Sequence, residues 1–113
     1  MIVQDMVDLL QADVVAGAAN VDNVIRGGYV SDLLSNVMSQ AQSGNVWITM
    51  HGHQNIVAVA SLLGLSAVII AGRIQPDKEV MIKADAESIP LIITTLSAFE
   101  VVGLLYSKGI KGV

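Results

Sequence analysis

The sequence predicts a single α/β domain over residues 1–113, with a mainly parallel central sheet and helices packed on it. Three observations carry this. Length is the first: 113 residues suffice for one domain with its own core. The second is a stretch from Leu33 to Gly72 with no Asp, Glu, Lys or Arg. Within it Asn45–Met50 reads as a strand, His51–Asn55 as a polar turn, Ile56–Leu63 as a helix and Ala67–Ala71 as a strand. A crossover helix joins parallel strands, and strands covered on both faces are apolar at nearly every position. The third is the alternation of strand and helix patterns from Asn45 onward.

The chain before this unit reads as follows. Gln4–Gln11 has the apolar spacing of a short amphipathic helix, with Asp5 favouring its positive end. Asp13–Gly17 is a short strand, and one strand in this first third is expected to be antiparallel. Val24–Arg26 reads as extended. A turn at Gly27-Gly28 follows, where positive φ or close backbone approach would explain the pair. Ser31 or Asp32 then caps a helix running to about Ala41.

After the central unit, Gly72–Asp77 is a loop and Asp77–Glu87 a helix burying Val80, Met81 and Ala84. Pro90–Thr94 is a strand. Ser97 or Thr95 caps a last helix through Phe99, Val102, Leu105 and Tyr106, which Gly109 ends.

Composition excludes several function classes. Cysteine is absent, so disulfides and thiolate chemistry are excluded, and a cytoplasmic setting is expected. The formal net charge of −4 gives no basic footprint for nucleic acid. The run Ile56–Ala71 is shorter than the roughly 20 residues of a membrane span, and Ser61, Gly64 and Ser66 interrupt it. No signal-peptide pattern is expected at Met1–Asp5. Charged residues are 14%, against roughly 25% in an ordinary soluble domain. The excess apolar surface points to a homomeric interface, so a homodimer is expected.

Residues Asp22 to Ser35, with Gly27-Gly28-Tyr29-Val30-Ser31-Asp32-Leu33-Leu34-Ser35, resemble the DRTGG domain family. Trp47-Ile48-Thr49, His53–Ala60, Ile89-Pro90-Leu91 and Ser97–Glu100 extend the resemblance over nearly the whole chain. Asn23 and Arg26 stand where the family has its arginine and threonine; Asp22 and both glycines match. The family is similar to the N-terminal domain of HPr kinase/phosphorylase and occurs beside CBS domains in regulated pyrophosphatases. The resemblance implies an accessory α/β domain in assembly or regulation. It implies no reaction, but allows a partner enzyme or regulatory protein.

The candidate site is the turn after the first central strand. A helix start at His53-Gln54-Asn55 presents unpaired N–H groups to a nucleotide or phosphometabolite. Thr49 and His51 come from the preceding strand, and Thr95 from the last strand-helix turn. Arg26, Gly27 and Gly28 would add a cation and a backbone cradle. Ordinary helix capping is the competing reading. His51 and His53 face one side if extended, but two imidazoles are an incomplete metal site. Asp32, Glu100 or a partner chain would have to complete it, so no metal is expected. No serine lies in a G-x-S-x-G context, and Asp32 reads as a cap. No catalytic residue and no cofactor are expected. Trp47 belongs to the core or anchors an interface.

Overall fold

The computed structural model describes residues 1–52 and 55–113. These form helices α1 (Val3–Leu10), α2 (Leu34–Gln40), α3 (Ile56–Leu63), α4 (Lys78–Glu87) and α5 (Ala98–Ser107). Strands β1 (Asp13–Ala16), β2 (Gly27–Val30), β3 (Asn45–Thr49), β4 (Ala67–Ile70) and β5 (Leu91–Ile93) make one sheet in the order β1-β5-β4-β3-β2. β2 to β5 run parallel, and β1 pairs antiparallel with β5 at one edge. The expected α/β class, the mainly parallel sheet and the antiparallel strand in the first third are all present.

The two central strands show why their sequences read as unbroken apolar runs. Every residue of β3 and β4 is buried. Successive side chains point to opposite faces. Trp47, Val68 and Ile70 therefore join one core with Val37, Ile56, Val59, Val80 and Ala84 from α2, α3 and α4. Val46, Ile48, Ala67 and Ile69 join a second core with Val3, Met6, Leu10, Val101 and Leu105 from α1 and α5. The fold is three layers: α2–α4, sheet, α1 with α5. Trp47 is fully buried and its indole N–H donates to the Ser31 carbonyl at 2.9 Å, so it belongs to the core.

Helix ends follow the sequence where a side chain or glycine does the expected job. Gly64 ends α3 at φ 68°, its N–H donating to the carbonyls of Ala60 and Ser61. Ser97 caps α5, its hydroxyl accepting from the Glu100 N–H at 3.3 Å. Among the described residues, no helix is long and apolar enough to cross a membrane.

Two local expectations are corrected. Gly27-Gly28 is not a turn: both glycines lie in β2, paired with Asn45 and Val46, and neither has positive φ. At Gly27 the reason for glycine is close approach, whereas a Cβ on Gly28 would meet only ordinary contacts at 3.7 Å and beyond. A Cβ on Gly27 would lie 3.1 Å from the Lys111 carbonyl oxygen, and the Gly28 N–H donates to that carbonyl at 2.8 Å. The second correction concerns α2. Leu33 is its N-cap, and neither Ser31 nor Asp32 caps it with a side chain. Ser31 accepts from the Leu33 N–H in the preceding turn, and Asp32 is used elsewhere.

Candidate functional site

The carboxyl ends of parallel strands gather loops at one edge of a sheet, and there α/β folds bind ligands. At this edge β2 and β3 end side by side, Val30 opposite Ile48. One residue past Ser31, the Asp32 carboxylate turns toward β3. The Thr49 hydroxyl and the Met50 N–H both donate to its Oδ1 at 2.7 Å. The Thr49 oxygen in turn accepts from the His51 N–H at 3.2 Å. Burial pushes the Asp32 carboxyl up. The Met50 N–H, the Thr49 hydroxyl and the nearby His51 charge outweigh it together and hold the pKa below its usual value. A carboxylate that accepts two short hydrogen bonds and stays ionised is an anchor, not a proton acceptor poised near neutrality.

The turn is pinned from the other side as well. The Gly52 carbonyl accepts from the Asp77 N–H at 2.9 Å. A Cβ on Gly52 would come within 2.8 Å of the Gln75 carbonyl oxygen, which explains glycine there. Asn55 is the N-cap of α3 in left-handed backbone, φ 49°, without a side-chain capping bond. Side-chain capping by Asn55 is thus not how this helix begins. The start of α3 opens instead onto a cleft of about 330 Å³, lined by Asn55, Ile56 and Val57 and by Asp77, Glu79 and Lys83 of α4 and its cap. Two carboxylates and one ammonium border that cleft.

The expected site residues therefore fall in three places. Thr49, His51 and Asn55 lie along the turn after β3, and the Thr49 hydroxyl is already both donor and acceptor. His53 and Gln54 lie outside the described residues. Arg26, Gly27 and Gly28 sit at the opposite, amino edge: the Arg26 N–H donates to the Gly44 carbonyl, and Gly27 pairs with Asn45, the first residue of β3. At about 3.3 Å per residue, Thr49 is roughly 13 Å away along the strand. The Gly-Gly segment does not fold over the ligand edge. Thr95 follows β5, and β4 intervenes between β5 and β3, so it is roughly 10 Å from the Thr49 turn. Among the described residues, no three His, Cys, Asp or Glu side chains form a metal-binding group.

Two features escaped the sequence reading. One is the Asp32–Thr49 bond, hidden because the partners are 17 residues apart. The other is Arg73, which lines a cavity of about 250 Å³ with Gln11, Asp13, Gln75, Thr94 and Thr95. A signal was available: Arg73 is the single Arg or Lys between Arg26 and Lys78, and it comes three residues after the end of a buried strand.

Asn23 and Arg26, the two departures from the family's name, have structural roles. The Asn23 amide donates to the Ser66 carbonyl at 3.2 Å. The Arg26 stem packs on Gly44, where a Cβ would lie 2.7 Å from Arg26 Cδ.

Comparison with known proteins gives one family and one informative structure. The model of the DRTGG domain matches residues 5–107. No curated protein matches the chain. Among solved structures, the chain is similar to the CBS and DRTGG domains of the regulatory region of Clostridium perfringens pyrophosphatase, solved with its activator diadenosine tetraphosphate. The TM-score is 0.74 at 20% identity, over 90% of this chain and 44% of that one. The present chain thus spans less than half of that regulatory region. With the family model matching nearly the whole length and the same fold recurring in a solved member, this chain belongs to the DRTGG domain family.

Proposed function

We propose that this chain is a non-catalytic regulatory or assembly domain that works as a homodimer, docking on a partner enzyme or regulatory protein in the cytoplasm. One observation carries the reading. At the carboxyl edge Val30 and Met50 are each half exposed, and with Ala98 they border a shallow depression of about 150 Å³. Leu33 at 58% and Phe99 at 85% exposure follow directly on Asp32 and Ala98. Large apolar side chains grouped around one depression mark an association surface. The one carboxylate there, Asp32, is occupied with Thr49 and Met50, so it does not oppose burial as an unsatisfied charge would. The lack of cysteine fits a reducing compartment. Light scattering at micromolar concentration is the test. A dimer mass is expected; a monomer mass that persists on concentration overturns the reading.

A second reading is a small-ligand sensor. The cleft at the start of α3 favours it, because Asn55, Ile56 and Val57, the first residues of that helix and its cap, line a space large enough for a small molecule. Asp77 and Glu79 oppose an anion there, so the expected ligand would present its phosphate to the N–H groups and not to α4. A thermal-shift screen with nucleotides separates the readings, since a ligand that binds only the folded state raises the apparent melting temperature.

A further inference from the structure

We propose that the cavity at the carboxyl end of β5 binds a compact zwitterion of the amino-acid class, its carboxylate held by Arg73 and its ammonium by Asp13. The site stands apart from the dimer surface and from the cleft at α3, and depends on neither.

Topology places it. β4 and β5 are adjacent and parallel, but their outgoing connections part. The chain after β4 leads to α4, packed in the core of α2 and α3; the chain after β5 leads to α5, packed with α1 on the other face. Adjacent strands whose connections leave on opposite faces mark the switch point where open α/β sheets hold ligands. Here the two connections are first tied together. The Gly72 N–H donates to the Leu96 carbonyl at 2.8 Å and the Arg73 N–H to the Thr94 carbonyl at 3.2 Å. Asp13 of β1 lines the same cavity as Arg73 and Thr94, two of the residues in this tie.

Chemistry selects the ligand. Arg73 comes from the β4 side and Asp13, the first residue of β1 and paired with Ile93, from the other side of β5. One cation and one anion line the cavity with the polar Thr94, Thr95, Gln11 and Gln75 and the apolar Ile74 and Ile93, which would meet an aliphatic part of the ligand. The Thr94 oxygen accepts from the Leu96 N–H at 3.1 Å, which leaves its proton to donate. A guanidinium suits a carboxylate in bidentate geometry, and a carboxylate suits an ammonium. A phosphate dianion would meet Asp13 as a like charge. The volume of about 250 Å³ lies below the roughly 300 Å³ where pockets for drug-sized ligands begin, so a small amino acid fits and a dinucleotide does not.

The test is amide chemical-shift titration of the whole chain with each common L-amino acid at millimolar concentration, with acetate and inorganic phosphate as single-sign probes. At least one amino acid should give saturable shifts at Arg73, Thr94 and Thr95. Its affinity should fall roughly tenfold or more in Arg73→Gln and in Asp13→Asn, since each loses one charged hydrogen bond. Both side chains are exposed, so both variants should keep the wild-type spectrum elsewhere. Arg73→Gly is a further variant that also removes the cation while suiting the left-handed backbone at φ 64°. Absence of saturable shifts with every amino acid overturns the proposal. So does phosphate binding that Asp13→Asn strengthens, or amino-acid binding that neither variant weakens.

Discussion

The Asp32 carboxylate and the Thr49 hydroxyl, 2.7 Å apart, tie the exit of β2 to the exit of β3. The same oxygen takes the Met50 N–H, and Thr49 takes the His51 N–H. One side chain therefore organises the backbone of two strand exits. It fixes the backbone of Met50, whose side chain is half exposed at this edge.

Replacing Asp32 by Ala should cost about 1 kcal/mol at neutral pH, after the usual value for bonds to a charged group is discounted for partial exposure. The pH dependence follows from the direction of its shift. The folded pKa lies below the usual value, so the contribution is fully present above the unfolded pKa of about 3.9. It is lost as pH falls through the folded value. Denaturant melts of wild type and Asp32→Ala should therefore differ at pH 7, begin to approach each other below about pH 3.9 and meet once the pH is below the folded pKa. A difference that stays constant through that window would mean that packing, not charge, is what Asp32 contributes.

The central unit was legible because its signals are local. β3, α3 and β4 were read from run lengths and from Gly64, whose left-handed conformation any L-side chain resists. β2 was not legible, because glycine marks both turns and close backbone contacts. Only the position of Lys111, far along the chain, decides between them. Asp32 is ambiguous in the sequence for a related reason: an Asp ahead of a helix caps it by default, and the competing acceptor role needs Thr49 from another strand. The candidate site was legible as an edge but not as a set. Thr95 and Arg26 looked compatible with His51 until strand order and direction put them elsewhere.

Gly17 should be among the least replaceable residues of the chain. It has φ 68°, and a Cβ would overlap the Ile89 carbonyl group. Its N–H also donates to the Asp85 carboxylate at 2.7 Å, joining β1 to the end of α4. Gly17→Ala should cost at least about 2 kcal/mol, from left-handed strain together with the clash. Gly109 has φ 92° with open space around its Cβ position, so Gly109→Ala carries the strain alone, about 1 kcal/mol. Equal losses in chemical melts would remove the packing explanation.

Gly27→Val should loosen the segment at Lys111 before it unfolds the sheet. The added side chain meets the Lys111 carbonyl and the Asn45 amide, each 3.1 Å from the Cβ position. The Gly28 N–H, which donates to Lys111, reports on this directly. Its hydrogen exchange should accelerate in the variant while the amides of β4 keep their protection, because local openings need less than the global free energy. Unchanged exchange at Gly28 would show that the segment yields without detaching.

The proposed dimer surface makes the sharpest distinction between two apolar regions of this protein. Leu33 and Phe99 follow directly on Asp32 and Ala98, which line the carboxyl-edge depression with Val30 and Met50. Leu62 and Ile82 are as exposed, but they stand on α3 and α4. A charge placed inside a closed apolar interface is left without a partner and costs several kcal/mol, enough to separate a micromolar dimer. Phe99→Asp and Leu33→Glu should each give a monomer mass by light scattering, while Leu62→Glu should leave a dimer. All these side chains are exposed, so each variant should keep its fold, which far-UV circular dichroism checks. If Leu62→Glu dissociates the protein and Phe99→Asp does not, the helical face is the interface. The carboxyl edge would then remain open in the dimer, and Asp32 would border solvent in both states.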